Sequence, residues 1–100
     1  SNDFKKAEKL IKKAIKLDPE NPAIIDSYGW GLFRLGKYDS ALKELVKAYD
    51  LYKDPEIAAH IIEVLLVLDR KKEAKIRLTE AQNLFINNKY LENVSERFFE

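Results

Sequence analysis

The chain has 100 residues, of which 46% are hydrophobic and 35% are charged. This length and composition predict one packed domain, and only three glycines and three prolines favour helices over disorder or an all-β fold. With 18 basic and 17 acidic residues, the net charge of +1 provides no field that would attract nucleic acid or an anionic membrane. The absence of cysteine excludes disulfides and thiolate metal sites, and it leaves the compartment open between the cytoplasm and a bacterial periplasm or envelope.

Two other features of the sequence bear on its setting. No apolar run approaches the roughly 18 residues of a membrane span, so we expect no direct insertion of this chain into a membrane. Methionine is also absent, and we therefore expect the chain to be a piece of a longer protein.

The first predicted helix covers residues 3–17 and is amphipathic. Asp3 is predicted to cap its N-terminus, and Asp18-Pro19 is predicted to end it. Its apolar residues recur at spacings of three and four: Phe4, Ala7, Leu10, Ile11, Ala14 and Ile15. Its other face carries lysines, for which solvent is the expected neighbour: Lys5, Lys6, Lys9, Lys12, Lys13 and Lys16.

A second and a third helix are predicted on either side of Gly36. Asn21-Pro22 supplies an N-cap and a first-turn proline for the second helix. Gly36 stands where a left-handed residue is needed to end that helix, and the helical period then resumes from Tyr38 to Tyr52.

Three more helices are predicted in the second half of the chain. Asp54-Pro55 repeats the start signal for a fourth helix, whose apolar run predicts that it is the most buried of the set. A charged turn that begins at Asp69 leads to a fifth helix ending near Phe85, and Asn87-Asn88 is predicted to cap a sixth.

Alanines recur seven residues apart in three of the predicted helices. The three pairs are Ala7 and Ala14, Ala41 and Ala48, and Ala74 and Ala81, and they follow one another at intervals of 34 and 33 residues. Alanines seven apart lie on one helix face, where small side chains let another helix approach closely. Gly29 offers the matching small surface in the second helix, so the glycines beside Trp30 are predicted to be helical and to bind no phosphate.

One stretch carries most of the features of a single repeat unit: Tyr28, Gly29, Leu32, Gly36, Lys37, Tyr38, Ala41, Leu45 and Ala48. With the period of about 34 residues, it resembles the tetratricopeptide repeat, and it is similar to the C-terminal repeats of bacterial proteins of that family. It departs from the family at Ile25, where the family often has Trp. In the next unit Ile62 and Asp69 replace the small residues of Gly29 and Gly36.

The resemblance implies an all-α helical-repeat solenoid built from antiparallel helix pairs, with about six helices. Residues 3–17 are then the second helix of a partial repeat, 21–53 and 54–86 are full repeats, and 88–100 is a closing helix. Part of the apolar stripe of the first helix would lack a cover, so we expect self-association through that helix or through the C-terminal one.

The function implied by the resemblance is that of a non-catalytic scaffold for a protein or peptide partner. The first helices of successive pairs line a concave groove in this family, and it takes an extended peptide or a helix. The groove residues that carry over are Asp26, Trp30, Phe33 and Arg34 in the second helix, and Glu63 and Leu66 in the fourth. Trp30 is either a binding hot spot or a packing residue. The alternative function is an architectural C-terminal cap of a longer solenoid, with no ligand of its own and associating through its open end.

The sequence offers little that supports chemistry. His60 is the only histidine, and Glu63 is its only neighbour of a type suited to catalysis or metal binding. We interpret the lysines of the first helix as a solvated face rather than a nucleic-acid site. We therefore predict no enzymatic activity, no cofactor, no metal and no nucleic acid.

Overall fold

The fold is all-α, as predicted. The computed structural model describes residues 2–99, in which six helices and no strands are present. The chain divides into two compact units, Ser1–Tyr52 and Lys53–Glu100. The first contains α1 (Asn2–Leu17), α2 (Pro22–Arg34) and α3 (Tyr38–Leu51), and the second contains α4 (Pro55–Val67), α5 (Lys71–Leu84) and α6 (Lys89–Phe98). The prediction of a single domain with repeats at 21–53 and 54–86 stays a prediction.

Three of the helices begin at a side-chain cap. The Asn21 side-chain oxygen accepts hydrogen bonds from the backbone N–H groups of Ala23 and Ile24, at 3.0 and 3.3 Å. Asp54 does the same at the start of α4, where the backbone N–H of Glu56 donates to it at 2.8 Å. Asn88 accepts from the backbone N–H of Tyr90 at 2.9 Å. These caps satisfy N–H groups that have no partner inside the helix, which is why each helix starts where it does.

The cap predicted for α1 is wrong. That helix begins at Asn2, so Asp3 lies inside its first turn. Its carboxylate there still interacts favourably with the positive end of the helix dipole.

Two helices end in the same left-handed turn, although different residues make it. Gly36 has a φ of +79°, and the backbone N–H of Lys37 donates to the carbonyl of Leu32 at 2.9 Å. Asp69 has a φ of +60°, and the N–H of Arg70 donates to the carbonyl of Leu65 at 2.8 Å. Both turns are Schellman motifs, which satisfy the last carbonyl groups of α2 and α4.

Each unit has its own core. In the first unit α2 packs on α3 and also contacts α1. The buried side chains of this unit include Ile25, Leu32, Ala41, Leu45 and Ala48. In the second unit α4 packs on both α5 and α6. The buried side chains of this unit include Ile61, Ile62, Val64, Leu78 and Leu91. Seven residues of α4 are buried, more than in any other helix, so the prediction that it is the most buried is confirmed.

Candidate functional site

Two aromatic side chains form the most distinctive surface feature of α2. The rings of Trp30 and Phe33 stack with their centroids 4.7 Å apart and their planes inclined by 19°. Phe33 also contacts Tyr38 at the start of α3, at 5.5 Å and a tilted angle of 56°. All three side chains are half-buried. The structure thus presents a continuous aromatic surface that is only partly removed from solvent.

The packing of α2 on α3 holds this aromatic surface in place. Ile25, Gly29 and Leu32 form the buried face of α2, and Trp30 and Phe33 lie on a different face of the same helix. A Cβ atom added to Gly29 would lie only 2.8 Å from Cγ of Leu45. Because the two helices are in such close contact, the aromatic pair stands on a fixed support.

The two charged residues predicted beside the aromatic pair also lie on α2. Asp26 is half-buried, one turn before Trp30, and Arg34 is exposed in the last turn of the helix. A guanidinium in that place suits the negative end of the helix dipole. In the first unit, the surface therefore combines aromatic area with charges of both signs.

In the second unit, Glu63 and Leu66 are half-buried on α4. Arg97 of α6 donates from Nη1 to Oε1 of Glu63 at 2.5 Å and to Oδ1 of Asn93 at 3.2 Å. The Arg97 guanidinium also lies 4.6 Å from the ring centroid of Phe98. Glu63 is therefore held in an ion pair whose arginine the sequence reasoning missed. No local pattern in the sequence pairs the two residues, because Arg97 lies 34 residues after Glu63 in another helix.

The residues predicted to set the helix spacing differ in their burial. Ala41, Ala48, Ala74 and Ala81 are buried, as is Gly29, whereas Gly36 is exposed in its turn. Ala14 of α1 is half-buried, and Ala7 is exposed. The alanines of α3 and α5 thus lie in the cores of their units, and the matching alanines of α1 do not.

Within residues 2–99, no helix is long and apolar enough to cross a membrane. No group of three or more His, Asp or Glu side chains in that part of the chain is arranged to hold a metal ion.

A curated relative and several solved structures resemble this chain. Over 58 residues it is 47% identical to a TPR repeat-containing protein of Pseudomonas aeruginosa, a match that covers 58% of this chain and 10% of that protein. The matched part of this chain thus spans a tenth of the length of that relative. A thermophilic TPR protein of Thermus thermophilus superposes with a TM-score of 0.87 and 22% identity, over 97% of this chain and 50% of that chain.

A second solved structure is the type III secretion translocator chaperone SycD of Yersinia enterocolitica, in complex with a peptide of the translocator YopD. It superposes with a TM-score of 0.82 and 26% identity, over 97% of this chain and 75% of that one.

No protein-family model matches the chain. The structural matches over almost its whole length and the sequence match over 58 residues nevertheless agree with each other. The resemblance predicted from the sequence is confirmed: this chain has the tetratricopeptide fold, and over 58 residues it is similar to a bacterial tetratricopeptide protein.

Proposed function

We propose that this chain is a non-catalytic scaffold that binds an extended peptide or a helix of a partner protein on the aromatic face of α2. The observation that carries the proposal is the stacked, half-exposed pair of Trp30 and Phe33. Aromatic side chains of this kind provide large contact areas at little cost in conformational entropy, and tryptophan is enriched among binding hot spots.

Two charged side chains flank this surface and suit a ligand with polar groups beside its anchor. Asp26 and Arg34 lie on either side of the aromatic pair along α2. Charges at the rim of an interface fix the register and orientation of a ligand more than they raise its affinity. We expect the ligand to place an aliphatic or aromatic side chain on Trp30 and polar groups beside Asp26 and Arg34.

In the second unit, Glu63 and Leu66 are proposed to serve the same role on α4. The pairing of Glu63 with Arg97 changes what that surface offers, because the carboxylate of Glu63 already forms an ion pair. The Arg97 side chain keeps 52% of its area exposed, compared with 14% for Glu63. The exposed guanidinium of Arg97 is therefore the group on this surface that we expect to bind a ligand carboxylate.

The known complex of SycD with a peptide of YopD supports this proposal by analogy. An identity of 26% over nearly the whole of this chain supports a shared fold. The partner of this chain is for experiment to identify.

The test uses Trp30 as its own reporter, because it is the only tryptophan in the chain. Random peptides displayed on phage would be selected on the immobilised chain, and synthetic copies would be titrated while Trp30 fluorescence is recorded. We expect saturable binding that Phe33→Ala weakens by about 2 kcal/mol, the size of a typical hot spot. Leu84→Ala, on an exposed residue of α5, is the matched control and should bind as the unaltered chain does.

The double variant Trp30→Ala/Phe33→Ala decides between binding and packing. If it loses the selected peptides, followed through a label on the peptide, and keeps its melting temperature, Trp30 is a hot spot. Retained binding would remove α2 as the site, and loss of the fold would make Trp30 a packing residue.

The architectural cap is the second candidate, and the outer surface of α6 favours it. Glu92 and Glu96 are exposed four and eight residues after the cap Asn88, and α2 has the buried residues Ile25 and Gly29 at the same distances from Asn21. A polar outer face is typical of the helix that closes a repeat stack. If repeated selections yield no peptide, the cap is the better description.

A further inference from the structure

The ion pair between α4 and α6 leaves one edge of the Arg97 guanidinium available. Within residues 2–99, both hydrogen bonds donated by this side chain come from Nη1, which donates to Oε1 of Glu63 and to Oδ1 of Asn93. A guanidinium has five N–H donors, and Nη1 carries two of them. The N–H groups of Nε and Nη2 therefore have no acceptor in the part of the chain that the structure describes.

Three contacts fix the position of this guanidinium. Glu63 and Asn93 accept the hydrogen bonds from Nη1, and the ring centroid of Phe98 lies 4.6 Å from the central carbon of the guanidinium. Nε and Nη2 lie on one side of the planar group, where their N–H bonds can donate in parallel to the two oxygens of a carboxylate. Because the side chain is already ordered, a ligand that binds at this edge costs little additional rotamer entropy.

The internal repeat relates Arg97 to the residue that is proposed as the binding anchor of α2. Glu63 and Arg97 each stand nine residues after the N-cap of their helix, as Trp30 does in α2. Equal distances from the cap put the three side chains at the same angle around their own helices. Arg97 therefore occupies the groove position of α6, and more than half of its side chain is exposed.

The charges near Arg97 favour a carboxylate over a phosphoryl group as its ligand. The Glu63 carboxylate already contacts the guanidinium, and Glu96, the neighbour of Arg97 in the chain, is exposed. A ligand carboxylate adds one negative charge beside these acidic residues. A phosphoryl group adds nearly two, so the same acidic residues repel it more strongly.

We propose that Arg97 binds a carboxylate of a partner peptide through its Nε–Nη2 edge, and that Glu63 and Asn93 act on the ligand only by holding Arg97 in position. The carboxylate belongs either to an acidic side chain or to the C-terminus of the peptide. This inference rests on the proposed function, because it assumes a peptide ligand. It adds a site in the second unit and assigns Glu63 a role that it exerts through Arg97.

The test uses two phage libraries of random peptides, one with a fixed central glutamate and one with glutamine in its place. Both are selected on the immobilised chain, and we expect the glutamate library to be enriched more strongly. Selected peptides are synthesised with an amidated C-terminus and a fluorescent label. Replacing the glutamate by glutamine should weaken binding by about tenfold or more in fluorescence anisotropy, because two charge-assisted hydrogen bonds are lost.

Two further peptides distinguish the possible anions. The first carries glutamine and ends there in a free carboxylate, and its binding would identify the C-terminus as a source of the carboxylate. The second carries phosphoserine in place of the glutamate. We expect the phosphoserine peptide to bind more weakly than the glutamate peptide.

Variants of Arg97 separate the effect of its shape from that of its charge. Arg97→Gln should weaken binding of the glutamate peptide by about tenfold or more and remove its advantage over the glutamine peptide. Arg97→Lys keeps the charge but lacks the two parallel donors, so it should recover only part of the affinity. Lys72→Gln removes a positive charge from an exposed residue of α5 and should leave binding unchanged. Thermal melts confirm that each variant is folded.

A double-mutant cycle tests the positioning role of Glu63. Glu63→Gln keeps an acceptor for Nη1 of Arg97 and should largely preserve binding, whereas Glu63→Ala releases the arginine and should weaken binding severalfold. In the Arg97→Gln background, Glu63→Ala should have no further effect, because Glu63 acts through the arginine. Asn93→Ala should behave as Glu63→Ala does.

Each contrary outcome has a distinct meaning. Equal enrichment of the two libraries, or a glutamate peptide whose binding survives Arg97→Gln, would overturn this inference and leave the proposed function intact. Additive effects of Glu63→Ala and Arg97→Gln would make Glu63 a direct ligand contact and overturn its positioning role. Tighter binding of the phosphoserine peptide would overturn the assignment of a carboxylate. Failure of both libraries to yield any peptide would contradict the proposed function itself.

Discussion

The two helical hairpins of this chain, α2–α3 and α4–α5, share a plan and differ in how closely their helices approach. Both begin at an Asx cap followed by proline, and both turn through a Schellman motif. Gly29 stands on the inner side of α2, whereas Ile62 holds the matching place in α4 and is fully buried. The interface between α2 and α3 is the more extensive one.

One position in the first helix of each hairpin therefore sets how its two helices pack: Gly29 in α2 and Ile62 in α4. A glycine there brings backbone against a neighbouring side chain, and an isoleucine fills the same place with its own side chain. The residue at this position matches the helix packing of its own hairpin, so we do not expect Gly29 and Ile62 to be interchangeable. Substitutions at these positions and at the helix ends should therefore affect the two hairpins differently.

Ile62→Ala should have the largest effect. It removes a fully buried side chain and leaves a cavity between α4 and its neighbours, which typically costs about 2 to 5 kcal/mol of unfolding free energy. Ile76→Ala is the matched control, because Ile76 of α5 is 54% exposed and should change stability by less than about 0.5 kcal/mol. Urea unfolding followed by circular dichroism measures both. Equal losses in the two variants would show that Ile62 does not fill the hairpin.

Gly29→Ala should destabilise the other hairpin by overpacking. The new methyl group would lie 2.8 Å from Cγ and 2.9 Å from Cδ2 of Leu45, so either the Leu45 side chain or one of the helices must shift. We expect a net loss of roughly 1 to 2 kcal/mol, after the gain that alanine brings as a better helix former.

Gly31→Ala provides the control within the same helix. No atom lies within 4 Å of the added methyl group, so stability should rise by roughly 0.5 to 1 kcal/mol. Trp30 fluorescence during urea unfolding reports on both variants. If the two substitutions shift stability in the same direction, close packing at Gly29 is not what distinguishes the hairpins.

The two hairpin turns should respond in opposite directions to an exchange of residues. Asp69→Gly relieves a left-handed residue with a side chain, and it should stabilise the chain by roughly 0.5 to 1 kcal/mol. Gly36→Asp imposes the same strain on the first turn and should cost a similar amount. Thermal melts of the two variants and of the unaltered chain give the sign of each change in stability. A loss of stability in Asp69→Gly would indicate that the aspartate side chain contributes more than its conformation costs.

The smallest expected effect is a dependence of stability on pH that arises from Glu73. The hydrogen bond that Arg70 donates to Glu73 at the start of α5 lowers the pKa of the Glu73 carboxyl below its ordinary value of 4.5. A lowered pKa in the folded state means that the stabilisation is present above the unfolded pKa and is lost as the pH falls through the folded one. Glu73→Gln should therefore cost stability at neutral pH and progressively less below pH 4.5. Unfolding free energies measured across that range check it, and a difference independent of pH would contradict it.

Much of the fold could be predicted from the sequence because its signals are local. The caps at Asn21, Asp54 and Asn88 act on backbone groups two or three residues away, so the local sequence is sufficient to predict them. The left-handed turn at Gly36 follows from the conformational freedom of glycine. The resemblance to the tetratricopeptide repeat assigned Trp30 and Phe33 to a groove, apart from the residues by which α2 packs on α3.

Other features depend on residues distant in the sequence, and periodicity does not report on them. The partial repeat predicted that part of the α1 stripe lacks a cover, but only the packing of α2 on α1 shows which residues are left exposed, Leu10 among them. The pairing of Glu63 with Arg97 depends on how α6 packs on α4. Asp69 takes the left-handed conformation because the turn after α4 requires one there, whichever residue occupies it.

By itself, the sequence determined the helices, their caps and the repeat that relates them, since each arises from contacts within a few residues or from a regular spacing. Only the tertiary structure decided which apolar and charged side chains are covered. Burial and ion pairing depend on the approach of a second helix, so they distinguish the buried alanines of α3 and α5 from the exposed face of α1.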